Sequence, residues 1–551
     1  MERRVPFLRL ALATALPMLG GYSGSGVARA ADPLLFPKDK FTEQTVTVRT
    51  ATGEKKVVVH SYRHLPYVAK PVDVKYESLD VMVPVSVDGK AIDASKSPII
   101  FSVGVAGYMS SPNVRDASTM MGGPGGMGGP GGHPGGTPGG PAGQTGPPGG
   151  FGGQGGPPGA GQGGRGMGGF PGGGPRGRGM GGPPGGGPGG SGNDALALGY
   201  VTVNPGVRGR DNQAKDGTYY GKAPAAIVDL KAAVRYIRHN KGILPGNVDQ
   251  IIASGCSAGG GLTTLLGASG NSPLYEPYLK EIGAADEKDN IFAADCHSPI
   301  TDLNHADLSY EWEFGVSKSN GAIDATTSAD LKQLFAPYQA SLNLKGKDNF
   351  GTLTAANMGE YLVRYYLAPE ATKYLLSLTE DKRKEYLTAN ASWLKWDGKT
   401  ASFTIEDFAA QHLNRMKAAP AFDVTGLNSA ETILFGDKTT NARHFTNYML
   451  QKSTGNSNAT IDPDFQKVVN LMNPMYFIQQ KNQGAAQHWR IREGAVETDA
   501  SSVVSVDIAT GLENLGRDVN AALYWDAGHC QDLDPAGFLI WVGQITGFKI
   551  P

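Results

Sequence analysis

The sequence predicts an α/β fold in which a mostly parallel sheet is covered by helices on both faces. Short apolar runs typical of strands alternate with a helical pattern, and parallel strands need such helices to connect them. One of these strands also runs through a glycine-rich turn directly into a helix. The chain has 551 residues, which suits one large α/β domain with an inserted lid, or two modest domains.

The strands are predicted from apolar and β-branched runs that end at turn residues. They cover residues 79–87, 98–103, 200–204, 250–253 and 521–525, with a further strand at 488–492. Residues 224–240 predict a helix because the apolar residues from Ile227 to Ile237 recur at helical spacing. Pro224 suits the first turn of that helix, where no backbone N–H is needed.

The strand at 250–253 leads into a G-x-S-x-G motif at residues 255–259, and residues 262–267 continue as a helix. The glycines lack the Cβ atoms that would clash in a tight turn, so Ser257 can occupy a strained backbone position. The motif alone is weak evidence, but strand, glycine turn and helix form the context of a nucleophile elbow. We therefore predict Ser257 as a catalytic nucleophile on an α/β-hydrolase fold.

A serine nucleophile needs a histidine base, and position along the chain selects it from ten histidines. In α/β-hydrolases the chain order is nucleophile, acid, histidine. His529 follows the predicted strand 521–525 near the C-terminus. His297 and His305 come too early, and His488 precedes the candidate acids. We predict His529 as the base.

Two further groups complete the predicted catalytic site. The acid is expected on the loop after strand 488–492, where Glu497 and Asp499 are separated by one residue and chemistry alone does not choose between them. The oxyanion needs two backbone N–H donors. We expect one from Ala258 and the other from the Gly-rich loop 104–108, at Gly107. No lysine follows that loop as in a phosphate-binding P-loop.

Two of the three cysteines flank the predicted nucleophile and base. Cys256 precedes Ser257, and Cys530 follows His529. If the serine and the histidine meet, the two cysteines also come within the narrow range that a disulfide requires. The alternative is a pair of unrelated buried thiols. We predict a Cys256–Cys530 bridge, with Cys296 as the spare thiol.

The N-terminus is typical of an export signal. Arg3, Arg4 and Arg9 precede an apolar run at 10–19, and residues 28–30 form an A-x-A cleavage site. Arg3-Arg4 resembles a twin-arginine signal, but the apolar pair after it is one place late, so the export route stays open. We expect the mature chain to be periplasmic or secreted, where a disulfide persists.

Residues 122–192 are almost entirely glycine and proline. Such a segment has too little apolar surface to offset its ordering entropy, so we predict a disordered surface loop. A few Arg-Gly pairs resemble RNA-binding tracts, but an exported protein rarely meets RNA. Outside this insertion and the signal at 1–30, we predict a hydrolase core at 31–121, 193–315 and 472–551, and a mostly helical lid at 316–471.

The net charge is −1, and no block of like charge occurs. Neither nucleic acid nor an anionic membrane is therefore expected as a partner. Serine acyl transfer needs no metal and no organic cofactor, so we expect none. The expected partner is a small-molecule ester, and the sequence does not indicate an oligomeric state.

Several segments resemble the bacterial tannases, and together they extend over most of the chain outside the Gly/Pro tract. These segments are residues 255–261, 270–279, 299–312, 416–423 and 488–494. The Cys256-Ser257 and His529-Cys530 pairs also resemble the fungal tannase and feruloyl esterase family, in which a disulfide joins the two cysteines. Both resemblances imply an esterase of phenolic acids.

The resemblance to bacterial tannases also implies individual roles. Ser257 corresponds to the nucleophile and His529 to the base, while Glu497 stands where that family has its triad aspartate. Glutamate is one methylene longer, so either the histidine position is adjusted or Asp499 serves instead. Three residues would bind the hydroxyls of a galloyl ring: Lys417, Glu431 and Asp499.

These observations predict an exported serine esterase that cleaves galloyl or related phenolic esters through an acyl-enzyme. A feruloyl or general aryl esterase would use the same triad. A secreted serine peptidase and a non-catalytic binding protein are more distant alternatives. The intact serine, histidine and acid set favours an enzyme over the binding protein.

Overall fold

The computed structural model describes residues 32–50, 53–113, 192–319 and 321–550. The predicted signal peptide at 1–30 and the predicted insertion up to residue 191 lie outside the described residues. The last residue assigned to that insertion, Gly192, instead begins the helix Gly192–Ala197. Helix formation there follows from the return of apolar side chains, because Ala195, Leu196 and Ala197 are buried.

Ten strands of the described chain form one sheet, in the order β1-β2-β3-β6-β5-β7-β8-β9-β10, with β4 on β3. The strands are β1 Thr42–Thr50, β2 Gly53–Pro66, β3 Ser78–Val87, β4 Lys90–Ala91, β5 Ile99–Val103, β6 Val201–Pro205, β7 Ile251–Cys256, β8 Ala293–His297, β9 His488–Gly494 and β10 Asp518–Tyr524.

The sheet is antiparallel from β1 through β3 to β6, and parallel from β6 to β10. The strands on either side of the Gly/Pro insertion, β5 and β6, are parallel neighbours, with Ile99 opposite Val201. All the predicted catalytic residues follow strands of the parallel part, whose carboxyl ends meet at one edge of the sheet.

Four strands of the sheet are absent from the sequence prediction: β1, β2, β8 and the two-residue β4. β1 is the edge strand and β2 lies next to it, and both mix exposed or half-buried polar residues with few buried ones. β8 is fully buried but contains Asp295 and His297, which pair with each other and with Arg490. Because these polar side chains have hydrogen-bond partners inside the protein, β8 is buried although its sequence is not apolar.

The helices are α1 Gly192–Ala197, α2 Ala225–His239, α3 Ala258–Ala268, α4 Glu276–Glu281, α5 Leu303–Phe314, α6 Ala325–Leu342, α7 Met358–Leu362, α8 Ala368–Ser377, α9 Glu380–Ala389, α10 Ile405–Gln411, α11 Ala430–Leu434, α12 Asn447–Thr454, α13 Pro463–Leu471, α14 Pro474–Gln479, α15 Ser502–Asn514 and α16 Pro535–Thr546. The described helices do not include one that is long and apolar enough for a membrane crossing.

Helices cover both faces of the sheet, as predicted. On β7, Ile251 and Ala253 belong to the main buried cluster, whereas Ile252 between them belongs to a second cluster with Phe538 and Trp541 of α16. Successive side chains of a strand point to opposite faces, so the two clusters lie on the two sides of the sheet. The fold is therefore the predicted α/β-hydrolase type.

Within the predicted lid at 316–471, the described residues, which exclude residue 320, form helices α6 to α13 and only two-residue strands. The helix that begins at Met358 is α-helical to Leu362 and then continues as the π-helical turn Val363–Leu367. The main buried apolar cluster, which packs on one face of the sheet, also includes side chains of this region such as Phe335 and Phe408. The region therefore shares one core with the sheet.

Candidate active site

Ser257 lies between the end of β7 and the start of α3, with φ 60° and ψ −128°. A non-glycine residue with positive φ is strained, and such strain persists only where neighbouring contacts impose it. Here the Ser257 N–H donates to the carbonyl of His297 (3.1 Å), and the Ile300 N–H donates to the carbonyl of Ser257 (3.1 Å). The loop after β8 thus holds the turn in place.

A second loop, after β5, lies against the same turn. The Gly259 N–H donates to the carbonyl of Val105 at 2.9 Å. A Cβ atom at Gly259 would overlap the carbonyl oxygen of Val103, so only glycine allows this approach. The glycine-rich loop that contains Gly107 is therefore held directly beside the elbow.

The predicted disulfide is confirmed. Cys256 and Cys530 are joined across 274 residues of sequence, with a Cα–Cα distance of 5.9 Å. Cys296 is the spare thiol and is buried. The bridge links the residue before Ser257 to the residue after His529, so it ties the elbow covalently to the histidine loop.

His529 contacts one of its two candidate acids much more closely than the other. Its Nδ1 lies 2.8 Å from Oε2 of Glu497 and 3.9 Å from Oδ2 of Asp499. The Glu497 side chain is 2% exposed, whereas that of Asp499 is 45% exposed. Charge pairs and hydrogen bonds are stronger away from water. The geometry therefore favours Glu497 as the partner of the imidazole.

The Glu497 carboxylate is itself held in position. Its Oε1 accepts the backbone N–H groups of Thr498 (2.9 Å) and Asp499 (2.7 Å), which leaves Oε2 for the histidine. A carboxylate at Nδ1 orients the other ring nitrogen, Nε2, for proton transfer. Burial lowers the pKa of His529, but the hydrogen bond and charge of Glu497 outweigh burial and raise it above its ordinary value.

The imidazole lies against the disulfide. A ring nitrogen of His529 and the sulfurs of Cys256 and Cys530 all lie within 4.8 Å of one another. The described hydrogen bonds do not include one between the Ser257 hydroxyl and His529, although this bond was expected from the sequence. Such bonds are commonly long or misaligned until a substrate binds. What the structure shows is that the bridge joins the residues adjacent to Ser257 and His529.

The two predicted oxyanion donors belong to the two segments that meet here. Ala258 is the first residue of α3, so its N–H has no carbonyl one turn earlier to bond. Gly107 has φ 52°, and its carbonyl accepts Nε of Arg210 at 2.7 Å. The backbone N–H of Arg210 also donates to the carbonyl of Tyr108 (2.9 Å). Arg210 thus braces the loop, a contact that sequence reasoning missed.

The three residues predicted to bind a phenolic ring are brought together. The Lys417 ammonium donates to the backbone carbonyl of Asp499 (2.7 Å) and lies 4.1 Å above the Phe422 ring. Glu431, on α11, is 7% exposed, and burial raises its pKa while the charges of Lys417 and Arg210 oppose the shift. The Lys417 ammonium and the Asp499 carboxylate therefore lie close to His529, and both charges act on the buried Glu431.

Two residues near the histidine were also missed by the sequence reasoning. The Ser298 hydroxyl accepts the N–H of Cys530 (3.1 Å), and Ser298 N–H donates to the carbonyl of Arg492 (2.7 Å). The Tyr310 hydroxyl donates to the carbonyl of Thr498 (2.9 Å), next to Glu497. These contacts join segments far apart in sequence, and no local motif marks them.

The hydrogen bonds around His529 do not favour a metal site. Glu497, Asp499 and His529 offer ligand atoms within 4.8 Å of one another. However, both oxygens of Glu497 and Nδ1 of His529 already take part in hydrogen bonds within the protein. The cysteines beside them form a disulfide and offer no thiolate. The arrangement instead matches a serine, histidine and acid set.

Parts of the chain are similar in sequence to known esterases. Residues 192–338 match the BD-FAE family model. A stretch of 58 residues is 40% identical to esterase LipC of Mycobacterium tuberculosis (strain ATCC 25618 / H37Rv), although the match covers 10% of this chain and only 14% of that protein.

Solved structures match over almost the whole chain. The native tannin acyl hydrolase from Lactobacillus plantarum is 29% identical, with a TM-score of 0.71, and the match covers 93% of this chain and 99% of that chain. The same values hold for a tannin acyl hydrolase in complex with ethyl gallate. The Fusobacterium nucleatum tannase is 28% identical, with the same TM-score and coverage.

The fold, the site and these matches define the chain as an α/β-hydrolase of the carboxylic-ester hydrolase class. Within that class it is a structural homologue of the tannases over 93% of its length. The resemblance to tannases inferred from the sequence is confirmed.

We predict that Glu497→Gln lowers kcat by about 100-fold or more, because a neutral partner no longer stabilises the imidazolium. His529 must be neutral to act as a base, and its pKa is raised, so the rate falls as pH decreases through that raised pKa. Removing the charge should move this acid limb to lower pH. The measurement is kcat/KM of ester hydrolysis against pH.

The matched control is Asp499→Asn, which removes a more distant and more exposed carboxylate. Its acid limb should shift much less than that of Glu497→Gln. Equal shifts in the two variants would show that neither carboxylate is the specific partner of His529.

We predict that Cys530→Ala lowers the free energy of unfolding by about 2–5 kcal/mol, since a disulfide that closes a long loop restricts the unfolded chain. The measurement is the urea midpoint without reductant. With reductant, the urea midpoint of the unaltered chain should fall to that of the variant. An unaltered chain whose midpoint does not respond to reductant would contradict this account.

Proposed function

We propose that this chain is an exported serine esterase that hydrolyses esters of gallate and related phenolic acids. The observation that carries the proposal is the Cys256–Cys530 bridge, which joins the residues adjacent to Ser257 and His529, with Glu497 hydrogen-bonded to the histidine. Lys417 binds the backbone carbonyl of Asp499, and its charge acts on Glu431. The structural match to a tannin acyl hydrolase in complex with ethyl gallate supports the substrate class.

The mechanism uses the triad in two half-reactions. The Ser257 hydroxyl attacks the ester carbonyl while Nε2 of His529 takes its proton, and Glu497 stabilises the imidazolium. The N–H groups of Ala258 and Gly107 bind the oxyanion. The alcohol leaves with the proton from His529, and an acyl-serine remains. A water molecule, deprotonated by His529, then releases the acid.

Ring recognition is assigned to Lys417, Glu431 and Asp499. Three adjacent phenol hydroxyls offer protons to the two carboxylates and lone pairs to the ammonium. A ligand without these hydroxyls would leave the buried Glu431 without a partner, which is costly. This difference would distinguish phenolic acyl groups from simple ones.

Export is proposed from the arginines and apolar run of the N-terminus, with a periplasmic or secreted mature chain. The Cys256–Cys530 bridge supports this location, because disulfides persist in oxidising compartments. Neither a nucleic acid nor a membrane is proposed as a partner. A feruloyl or general aryl esterase is the second candidate, because the triad and the oxyanion loop would serve those esters equally well.

We predict that Ser257→Ala reduces methyl gallate hydrolysis to background while the circular dichroism spectrum stays unchanged. The substitution removes the nucleophile and leaves the backbone contacts of the turn intact. Turnover is measured by release of gallic acid. Retained turnover in the purified variant would refute Ser257 as the nucleophile.

We predict that Lys417→Met lowers kcat/KM for methyl gallate by about 100-fold, because a buried phenol oxygen loses its charged partner. Hydrolysis of p-nitrophenyl acetate should change by less than about threefold. Equal losses on the two substrates would remove Lys417 from ring binding. A preference of the unaltered chain for methyl ferulate over methyl gallate would favour the aryl esterase alternative.

A further inference from the structure

The loop that carries His529 is contacted from outside by two side chains of the predicted lid. Asp526, three residues before His529, has φ 57°. Its carboxylate accepts the Tyr386 hydroxyl at Oδ2 (2.9 Å) and lies 2.8 Å from Nε2 of His412 at Oδ1. Aspartate tolerates the left-handed conformation when its side chain is hydrogen-bonded nearby. The lid side chains supply those hydrogen bonds.

The same two side chains also hold Trp525. Its indole N–H donates to the Tyr386 hydroxyl (2.9 Å), so this hydroxyl accepts from Trp525 and donates to Asp526. The His412 ring is stacked on the indole, with ring centroids 5.6 Å apart and planes 11° apart. We call Tyr386 and His412 together the Asp526 clasp. It holds the point where β10 ends and the histidine loop begins.

Beyond Asp526, the histidine loop is bonded to the loop that carries the acid. The Ala527 N–H donates to the carbonyl of Tyr524 (3.2 Å), and the Val496 N–H donates to the carbonyl of Ala527 (3.0 Å). The loop then reaches His529 and the disulfide at Cys530. Its far end is therefore fixed covalently, and its near end depends on the conformation of Asp526.

The lid segment of the clasp continues directly to the proposed ring-binding lysine. His412 follows α10, and Lys417 lies five residues later. Between them, the Arg415 guanidinium is buried against Glu311 and donates through Nε to the carbonyl of Lys417 (2.7 Å). One short, braced segment thus contacts the histidine loop at one end and carries Lys417 at the other.

We propose that Tyr386 and His412 are positioning residues for the esterase reaction. They hold Asp526 in its left-handed conformation and so set the imidazole of His529 relative to Ser257. Because His412 and Lys417 share one braced segment, the clasp also aligns the base with the acyl group that Lys417 binds. This inference rests on the proposed function, since it assumes that His529 acts on Ser257.

A matched control exists at the opposite end of the same two strands. His488, at the start of β9, lies 2.7 Å from the carboxylate of Asp518, at the start of β10. This aspartate–histidine pair resembles the one in the clasp, but Asp518 is 58% exposed and the pair lies away from the catalytic edge. Its loss should leave His529 unmoved.

The experiment compares Tyr386→Phe, His412→Ala, His412→Gln and the control His488→Ala in the full chain. The readouts are kcat and KM for methyl gallate and for p-nitrophenyl acetate, and the rate of Ser257 labelling by a fluorophosphonate. We expect Tyr386→Phe and His412→Ala to lose about tenfold or more in kcat on both esters and in labelling, because small misplacements of a reacting group are costly. KM should stay within about twofold.

His412→Gln keeps an N–H near the position of Nε2 and should recover most of the activity that His412→Ala loses. This pattern differs from that of Lys417→Met, which affects only the phenolic ester. Smaller losses than tenfold in folded variants, or an equal loss in His488→Ala, would overturn the proposal. If Tyr386→Phe does not fold, the two His412 variants carry the same test.

Failure of the proposed function is seen separately, in the unaltered chain. A chain that neither reacts with the fluorophosphonate nor hydrolyses either ester would refute the serine mechanism itself. A reactive unaltered chain with fully active clasp variants would refute only the positioning role.

Discussion

The catalytic arrangement depends on the covalent link between Cys256 and Cys530. This link holds the Cα atoms of the two cysteines, which are 274 residues apart in sequence, 5.9 Å from each other. The serine turn is further held by backbone hydrogen bonds from the loops after β5 and β8, and the histidine loop by Ser298 and the acid loop. The disulfide joins the two loops next to these residues, although the described hydrogen bonds do not include one between Ser257 and His529.

Burial then assigns different roles to similar carboxylates around this link. Glu497 is enclosed and hydrogen-bonded by two backbone N–H groups, so it is suited to stabilise a charged imidazole. Asp499, two residues later, is half exposed and its backbone carbonyl binds Lys417. Glu431 is buried, and burial raises its pKa. The surroundings of each carboxyl group, more than its residue type, determine its chemistry.

The sequence pattern predicted the apolar strands of the sheet and missed strands that carry many polar side chains. β5, β6 and β7 were predicted within a few residues because both of their faces are covered by apolar packing. β8 was missed because its buried Asp295 and His297 are satisfied by Arg490 on the neighbouring β9, and that satisfaction is visible only in three dimensions. β8 is important for the site because the carbonyl of His297, at the end of this strand, accepts the backbone N–H of Ser257.

By itself the sequence predicted Ser257 as the nucleophile from its glycine turn, His529 as the base from chain order, and the bridge from the cysteines beside them. The structure confirms the bridge. The sequence could not choose between Glu497 and Asp499, since the choice depends on a 2.8 Å contact and on exclusion of water. Nor could it find Arg210, Tyr386 or His412, whose contacts join distant segments. Local patterns encode residue chemistry and turn geometry, whereas burial and long-range contacts exist only once the chain has folded.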